Sequence, residues 1–143
     1  MQMILALALV LPSFFPQQPP AGATDAAAYA KIGAEKNAEA KKKLVLAFEK
    51  NFPKSIRLPE VYMELSKTLV SQSDFTIAEK YAEKAVSAVA RMKSEAAASE
   101  IKDSGRQAWL NTLDTSAKKN LDWTKQMLTW QQQELRSNLT PKR

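Results

Sequence analysis

The sequence predicts an all-α protein, first because of where its turn-forming residues lie. Four of the seven prolines fall within residues 1–20, whereas residues 60–140 contain no proline and a single glycine, Gly105. A β-sandwich or an α/β fold needs turn residues at regular, short intervals, and this stretch lacks them. The second reason is that apolar residues recur at steps of three and four, which is typical of amphipathic helices.

Residues 1–23 differ in composition from the rest of the chain. The apolar run at 3–11 is shorter than the about 20 residues that a membrane-spanning helix needs. The small residues Ala21, Gly22 and Ala23 then provide a cleavage site of the kind that follows a signal peptide, although no Lys or Arg precedes the run. We therefore expect a cleaved signal peptide, with an uncleaved membrane anchor and an apolar tail as the alternatives.

The first two helices are predicted by their start and stop residues. Thr24 and Asp25 offer an N-cap and an acidic first turn to a short first helix. Asn37 is the expected turn, and the second helix, about 38–52, stops at Pro53. The second helix carries an apolar stripe (Leu44, Val45, Phe48, Phe52) and lysines predicted to lie on its other side (Lys41, Lys42, Lys43, Lys50).

Three further helical segments follow. Pro59 suits the first turn of the third helix, and residues 71–74 interrupt the apolar pattern. The fourth helix is expected from Phe75 to about Met92, and a break is expected at Gly105. The predicted packing faces are Tyr62, Leu65, Ser66 and Leu69, then Ile77, Ala78, Tyr81, Ala82, Ala85 and Val86.

The C-terminal segment has the longest uninterrupted apolar pattern. Apolar residues continue from Trp109 to Leu135 at steps of three and four. This spacing predicts one helix of about 30 residues, or two helices joined near Thr115 and Ser116.

Residues 59–91 resemble a tetratricopeptide repeat, a helix–turn–helix unit of about 34 residues. Ser66 and Ala78 match the small residues that let the paired helices approach. The residues Ser-Asp-Phe at 73–75 stand where the family turn usually reads Gly-Asp-Tyr, so Ser73 replaces a glycine. Residues 24–54 resemble a weaker copy, in which Lys41 stands where a small residue is usual.

The resemblance implies an organisation and a location. Residues 24–93 would form two antiparallel helical hairpins of a right-handed superhelix whose concave face binds peptides or protein segments. Residues 94–143 would form a long C-terminal helical segment. The linker between Pro53 and Pro59 is similar to that of exported bacterial proteins of the Tol–Pal-associated and outer-membrane-assembly type. We therefore expect a protein of the periplasm or cell envelope, membrane-anchored if the leader is not cleaved.

The composition excludes much catalytic chemistry. The sequence contains neither Cys nor His, so it lacks a thiolate nucleophile, the commonest metal ligand and the usual base at neutral pH. Its carboxylates form no recognisable metal-binding loop. We expect no catalytic, cofactor-binding or metal-binding residues and no small-molecule substrate. The expected partner is a protein or peptide, bound by this chain alone or within a larger membrane-associated complex.

One candidate binding surface lies on the third helix. The face predicted to point away from the core carries Glu60, Met63, Lys67, Val70 and Ser71. The repeat geometry implies that this face lines the concave groove, where Met and Val beside Lys suit an amphipathic helix or an extended acidic peptide. The alternative is that the C-terminal helix folds back and fills the groove as a cap.

The second candidate surface lies on the C-terminal helix. Trp123, Met127 and Trp130 share a face that is rotated from the main apolar stripe. Each Trp has roughly 150–250 Å² of surface to bury, so this helix needs two neighbours. Either the face packs against both earlier hairpins, or it is exposed for a partner or for self-association. A second hypothesis for the whole chain is a structural subunit whose C-terminal helix and tryptophans dock permanently into a larger complex.

Residues 31–54 hold seven lysines and three glutamates and so contribute most of the net charge of +6. Such a run can bind nucleic acid or an anionic membrane surface. Only one Arg precedes Arg91, and no nucleic-acid motif accompanies the lysines. A solvated helix surface is therefore favoured, and a basic nucleic-acid-binding protein is the further alternative.

Overall fold

Every regular element in residues 24–99 and 103–139, the part of the chain that this computed structural model describes, is an α-helix. This confirms the all-α prediction. Residues 1–23, with the expected signal peptide, lie outside the described residues. In chain order the helices are α1 (Asp25–Ala34), α2 (Ala38–Asn51), α3 (Leu58–Ser71), α4 (Phe75–Ala98) and α5 (Ser104–Leu139).

Polar side chains cap the starts of α1 and α2, where the sequence predicts helix starts. The Thr24 hydroxyl accepts a hydrogen bond from the Ala27 backbone N–H at 3.1 Å. The Asn37 side-chain oxygen accepts one from the Ala40 N–H at 2.9 Å. Each bond satisfies a backbone donor that has no partner inside the helix. The two caps therefore fix where the first two helices begin.

The hairpin of α3 and α4 is closed where both helices carry small side chains. Ser66 of α3 and Ala78 of α4 are fully buried. The Ser66 hydroxyl donates a hydrogen bond to the Ala78 backbone carbonyl at 2.9 Å. This bond requires the two backbones to approach closely, which a large side chain at either position prevents.

The turn between α3 and α4 places a serine in the left-handed backbone region. Ser73 has a φ of 62°. Its N–H donates to the Val70 carbonyl at 3.0 Å, and the Asp74 N–H donates to the Leu69 carbonyl at 2.9 Å. These two bonds form a Schellman motif, which usually has glycine at the left-handed position. Ser73 is the residue that stands where the resembled repeat has glycine.

α4 extends beyond its predicted end. It continues past Met92 to Ala98 through a stretch that contains three consecutive alanines, the residue with the highest helix propensity. The boundary expected between residues 93 and 94 therefore falls inside a helix.

α5 is a single helix of 36 residues, so the two-helix alternative is wrong. The Thr115 hydroxyl donates to the Asn111 carbonyl at 3.0 Å, as hydroxyl side chains do within continuous helices. The break expected at Gly105 lies slightly earlier in the chain, since α4 ends at Ala98 and Gly105 is already in the first turn of α5. The Asp103 carboxylate caps this turn by accepting from the N–H groups of Gly105 at 2.9 Å and Arg106 at 3.3 Å.

The third helix is central to the packing of the others. α3 contacts both α1 and α5, α2 packs on α1 and α3, and α4 packs on α3 and α5. An ion pair of 3.2 Å between Lys93 and Asp114 joins α4 to α5. The Ser55 hydroxyl donates to the Asp25 carboxylate at 2.8 Å and ties the α2–α3 connection to the start of α1.

The predicted lysine face of α2 is wrong at Lys41, which is 3% exposed. Lys41 precedes Val45 by four residues and therefore lies on the same buried side of the helix. Its ammonium group is 3.9 Å from the Glu64 carboxylate of α3. The ion pair and the packing of the long aliphatic stem accommodate a lysine where the resembled repeat has a small residue.

Among the helices in residues 24–99 and 103–139, none combines the length and the apolar composition needed to cross a membrane.

Enlarging the side chain at the α3–α4 contact tests this packing. We expect Ala78→Leu to lower the free energy of unfolding by about 1–3 kcal/mol, because the added atoms force the two backbones apart. Chemical denaturation followed by circular dichroism measures the change. The matched control is Ala90→Leu, at an exposed position of the same helix, which should change stability by less than about 0.5 kcal/mol. Equal effects of the two substitutions would show that the contact is not tightly packed.

Replacing Ser73 with glycine tests the left-handed turn. Ser73→Gly should raise the free energy of unfolding by about 0.5–1 kcal/mol, because it relieves the clash of Cβ with the backbone. Ser71→Gly, in the last turn of α3, should lower it by about 0.5–1 kcal/mol, because glycine disfavours a helical backbone. Denaturant titration of both variants measures the opposite signs. A loss of stability in Ser73→Gly would show that the left-handed backbone at Ser73 is not strained.

Candidate functional site

A cleft lies between α5 on one side and α1 and α3 on the other. Its volume is about 310 Å³, at the lower end of the range of roughly 300–1,000 Å³ for ligand-binding clefts. Apolar side chains alternate with polar ones along its walls. The lining residues are Tyr29 of α1, then Glu60, Met63, Glu64 and Lys67 of α3, and Trp109, Thr112, Leu113, Ser116 and Asn120 of α5.

The two carboxylates of the cleft lie beside other polar groups. Glu64 pairs with the buried Lys41, and Glu60 lies near the Tyr29 hydroxyl. Burial, followed by the negative charges of Glu60 and Glu64, raises the pKa of Tyr29, so this hydroxyl remains a donor at neutral pH. Burial lowers the pKa of Lys41, and the nearby Glu64 charge opposes this shift.

Two donors of the cleft have no such partner. Lys67 is exposed and makes no ion pair within residues 24–99 and 103–139. Asn120 is 7% exposed, and its Nδ2 atom is buried without a hydrogen-bond partner among the described residues. A buried polar group without a partner costs about 1–3 kcal/mol. Native proteins keep few such groups, which makes Asn120 unusual on this otherwise well-packed side of α5.

Three of the five residues predicted to form the groove line this cleft: Glu60, Met63 and Lys67. Val70 belongs to the apolar core, and the Ser71 hydroxyl donates to the Thr68 carbonyl at the end of α3. The prediction that this face points away from the core is wrong for Met63 and Val70, which are buried. The reason is that α5 packs against α3 and contributes to the same core.

Sequence reasoning missed Glu64 and Asn120 as residues of the cleft. Trp109 was assigned only to the apolar pattern of the C-terminal helix. A signal for Asn120 does exist, because it continues the stripe of Leu113 and Ala117 at steps of four and three. An amide on an otherwise apolar stripe indicates either a buried hydrogen bond or a binding site. Glu64 carried no comparable signal, since its partner Lys41 was predicted to be solvated.

The second candidate surface, the aromatic face of α5 formed by Trp123, Met127 and Trp130, is largely open. Trp123 is 44% and Trp130 is 54% exposed, while Met127 is partly buried against the core. The interpretation that this face packs against both earlier hairpins is therefore wrong. α3 and α4 cover a different side of α5, which buries Leu110, Leu113, Ala117, Asn120 and Thr124.

The cleft and the aromatic face lie along one line of α5. Trp109 and Ser116, which line the cleft, precede Trp123 and Trp130 in an unbroken series at steps of seven. Residues seven apart are two turns apart on nearly the same side of an α-helix. The aromatic face therefore continues the cleft toward the C-terminal end of α5.

A second cleft, of about 550 Å³, is lined by residues of α3, of α4 and of the C-terminal part of α2. Several of its polar groups hold the helices together. Lys84 of α4 pairs with Glu49 of α2 at 3.1 Å and lies 5.3 Å from the centre of the Tyr62 ring. Burial, followed by a hydrogen bond to Glu49, raises the pKa of Tyr62 well above its usual range. These contacts give the second cleft a structural role.

Of the seven lysines in segment 31–54, Lys41 is buried and the others are exposed or half-buried. Within the described segments, no group of three or more Asp or Glu side chains is placed to hold a metal ion.

Comparisons with protein-family models, with curated proteins and with solved structures found no match for this chain. No relative therefore assigns a role to the cleft or to the aromatic face.

The shifted pKa of Tyr62 predicts how stability depends on alkaline pH. In the unfolded chain Tyr62 loses its proton near its ordinary pKa of 10.0, whereas in the folded protein it keeps the proton. The unfolded state then binds fewer protons, so this contribution to stability is complete below about pH 10 and is lost as the pH rises further. The free energy of unfolding should therefore decline by up to about 1.4 kcal/mol per pH unit from this group. This decline should be absent in Tyr62→Phe.

Denaturant titrations between pH 7 and pH 11.5 measure this effect. The difference in free energy of unfolding between the wild type and Tyr62→Phe should be constant between pH 7 and pH 9 and should shift in favour of Tyr62→Phe above pH 10. Curves that stay parallel over the whole range contradict the proposed burial of a neutral Tyr62.

Proposed function

We propose that this chain is a non-enzymatic protein-binding module, and that its partner docks on the aromatic face of α5. The observation that carries the proposal is the exposure of Trp123 and Trp130, 44% and 54%, on a helix whose other side is firmly packed. Tryptophan is enriched among the residues that dominate binding energy at protein interfaces. Two half-exposed tryptophans on one helix face are therefore better explained by docking than by chance.

The energy available from this face is substantial. Burying the exposed half of each tryptophan removes on the order of 100 Å² of surface from water, which is worth about 2–3 kcal/mol. Met127 lies between the two rings and adds a flexible apolar surface that adapts to the shape of a partner. Because the exposed apolar residues follow one side of a helix, an amphipathic helix is the natural occupant of this face.

A tetratricopeptide-like arrangement supports the same class of function. The buried Ser66–Ala78 contact and the left-handed Ser73 are features that the resemblance predicts at these positions. The contacts of α1, α3 and α5 in series are compatible with stacked hairpins. Our proposal therefore includes that the helices form a repeat-type scaffold. It also includes that the partner belongs to the cell envelope if residues 1–23 direct export.

A permanently docked structural subunit is the second candidate. It is favoured by the end of α5, where Leu135 is 59% and Leu139 is 83% exposed. These leucines add apolar surface beyond the two tryptophans, as an obligate interface requires. The two candidates differ in whether the purified chain alone remains a soluble monomer. Cooperative unfolding of such a monomer supports an independent module. Aggregation of the purified chain supports the permanent subunit if the substitutions Trp123→Ala and Trp130→Ala reduce it.

Alanine substitutions on the aromatic face test the proposed function. The double variant Trp123→Ala/Trp130→Ala should weaken binding of a partner captured by the wild-type chain at least about tenfold. Its free energy of unfolding should also fall, because about half of each side chain is buried in the free chain, so binding is compared under conditions where circular dichroism shows both proteins folded. The matched control is Leu46→Ala/Ile56→Ala, which removes two apolar side chains of similar exposure on other parts of the surface.

Affinity capture from the native cell extract, followed by titration of the purified partner, provides the measurement. Retention of the partner by the tryptophan variant, or its loss from the Leu46/Ile56 control as well, contradicts docking on the aromatic face.

A further inference from the structure

The exposed side of α5 carries six residues whose spacing is the same in both directions along the helix. They follow one another at steps of three, four, seven, four and three, which keeps them on one side of an α-helix. All six are exposed. This palindromic pattern consists of Ser116, Lys119, Trp123, Trp130, Glu134 and Ser137. Its ends are two serines, its centre is formed by the two tryptophans, and a lysine and a glutamate occupy equivalent places between them.

We propose that two copies of this chain associate through the palindromic pattern, with their α5 helices antiparallel about a twofold axis between residues 126 and 127. In this arrangement each Trp123 faces Trp130 of the second copy, and each Lys119 faces Glu134 of the second copy. The small serines at the ends of the pattern also face each other. Each contact occurs twice because the interface is symmetric. This pairing rests on the function proposed above, docking of a partner on the aromatic face, and makes the partner a second copy of the chain.

The two charges of the palindromic pattern are available to a second copy. Neither Lys119 nor Glu134 forms an ion pair with another side chain of residues 24–99 and 103–139. An antiparallel pair of helices gives both of them a partner of opposite charge. A parallel pair would instead place each lysine against a lysine and each glutamate against a glutamate, which is repulsive. The charges therefore favour the antiparallel arrangement.

The end of α5 gives this pairing the room that it needs. The Gln131 side chain donates to the Ser73 carbonyl at 3.4 Å, at the turn between α3 and α4. Every residue of 132–139 is exposed, so α5 projects about 12 Å past that turn. In the antiparallel pair this projecting end lies at the level of residues 114–121 of the second copy. The part of the helix that meets those residues is therefore not covered by α3 or α4 of its own copy.

The surface of this face is large enough for a specific but weak dimer. Burying the exposed halves of the four tryptophans removes on the order of 400 Å² from water. A specific interface needs about 1,000 Å² in total. Met127 and the polar side chains along residues 116–137, about 33 Å of helix, provide the remainder. An interface near this lower limit predicts a dissociation constant of about 1–100 μM.

Cross-linking tests the antiparallel register. The sequence contains no Cys, so an introduced thiol is the only one in the full chain. An equimolar mixture of the variants Ser116→Cys and Ser137→Cys should form a covalent dimer with a short bis-maleimide. Each variant alone should not, because the two identical thiols are then about 30 Å apart along the helix pair. Cross-linking of each variant alone would indicate a parallel pair and overturn the proposal, as would the absence of cross-linking in the mixture.

Charge reversal tests whether the palindromic pattern selects a second copy. Lys119→Glu and Glu134→Lys each create two like-charge pairs in the dimer, so each should weaken dimerisation of the full chain about tenfold. The two substitutions change the net charge in opposite directions, so weakening by both excludes an effect of net charge. An equimolar mixture of the two variants should associate as tightly as the wild type, because every facing pair is again opposite in charge. Sedimentation equilibrium measures the dissociation constants.

The matched control is Lys125→Glu, which makes the same charge change at an exposed residue of α5 outside the palindromic pattern. It should leave the dissociation constant unchanged. A wild-type chain that sediments as a monomer well above about 100 μM overturns the proposal, and so does a dimer that both charge reversals leave unchanged. In either case, capture of a different protein that depends on Trp123 and Trp130 leaves the function proposed for the aromatic face intact.

Discussion

The close contact between Ser66 and Ala78 is the constraint on which the arrangement of the helices depends. The hydrogen bond of 2.9 Å from the Ser66 hydroxyl to the Ala78 carbonyl sets the distance between α3 and α4. Ala82 and Ala85 continue the fully buried small side chains along α4. Because α5 packs on both α3 and α4, the spacing of this hairpin also determines where α5 lies. The width of the cleft between α3 and α5 therefore follows from the smallness of two side chains outside it.

Polar groups are concentrated around the cleft, unlike in the α3–α4 contact. Lys41 is buried with one ion-pair partner, and Asn120 is buried without a hydrogen-bond partner among the described residues. Both arrangements are less stable than an apolar side chain of the same volume would be. The rest of the core is apolar and tightly packed, so the protein tolerates this local loss of stability. Such a distribution is expected when one part of a fold is selected for binding and the remainder for stability.

Local sequence signals were sufficient for most of the fold. Thr24 caps α1 as expected, and Asn37, the expected turn, provides the cap of α2. The small residues at 66 and 78 identify the hairpin contact. These features depend only on neighbouring residues or on one helix pair. The end of α4 was not predicted, and the choice between one and two helices for the C-terminal segment was left open, since helix length near an alanine-rich or polar stretch is decided by packing on other helices.

The candidate site was predicted less completely than the fold. Glu60, Met63 and Lys67 line the cleft, but the other wall is formed by residues more than forty positions away in the sequence. The burial of Lys41 and its pairing with Glu64 likewise depend on how α2 meets α3. Helical periodicity assigns a residue to one face of its own helix. It does not show which second helix approaches that face, and both the cleft and the buried donor of Asn120 arise from such an approach.

The single long helix α5 joins the two candidate surfaces into one continuous line. Asn120 is ten residues before Trp130, a distance of about 15 Å along an α-helix that rises about 1.5 Å per residue. A single partner that contacted both surfaces would need to span only this distance. Binding at one surface then raises the effective concentration at the other, so two weak contacts give strong overall binding. This gain in binding strength requires that α5 holds the two surfaces in a fixed relation. The helix is continuous over Ser104–Leu139 and so connects them without a break. The unbroken helix thus has a functional consequence, because a break near Thr115 would change the direction of Trp109 and the cleft relative to Trp123 and Trp130.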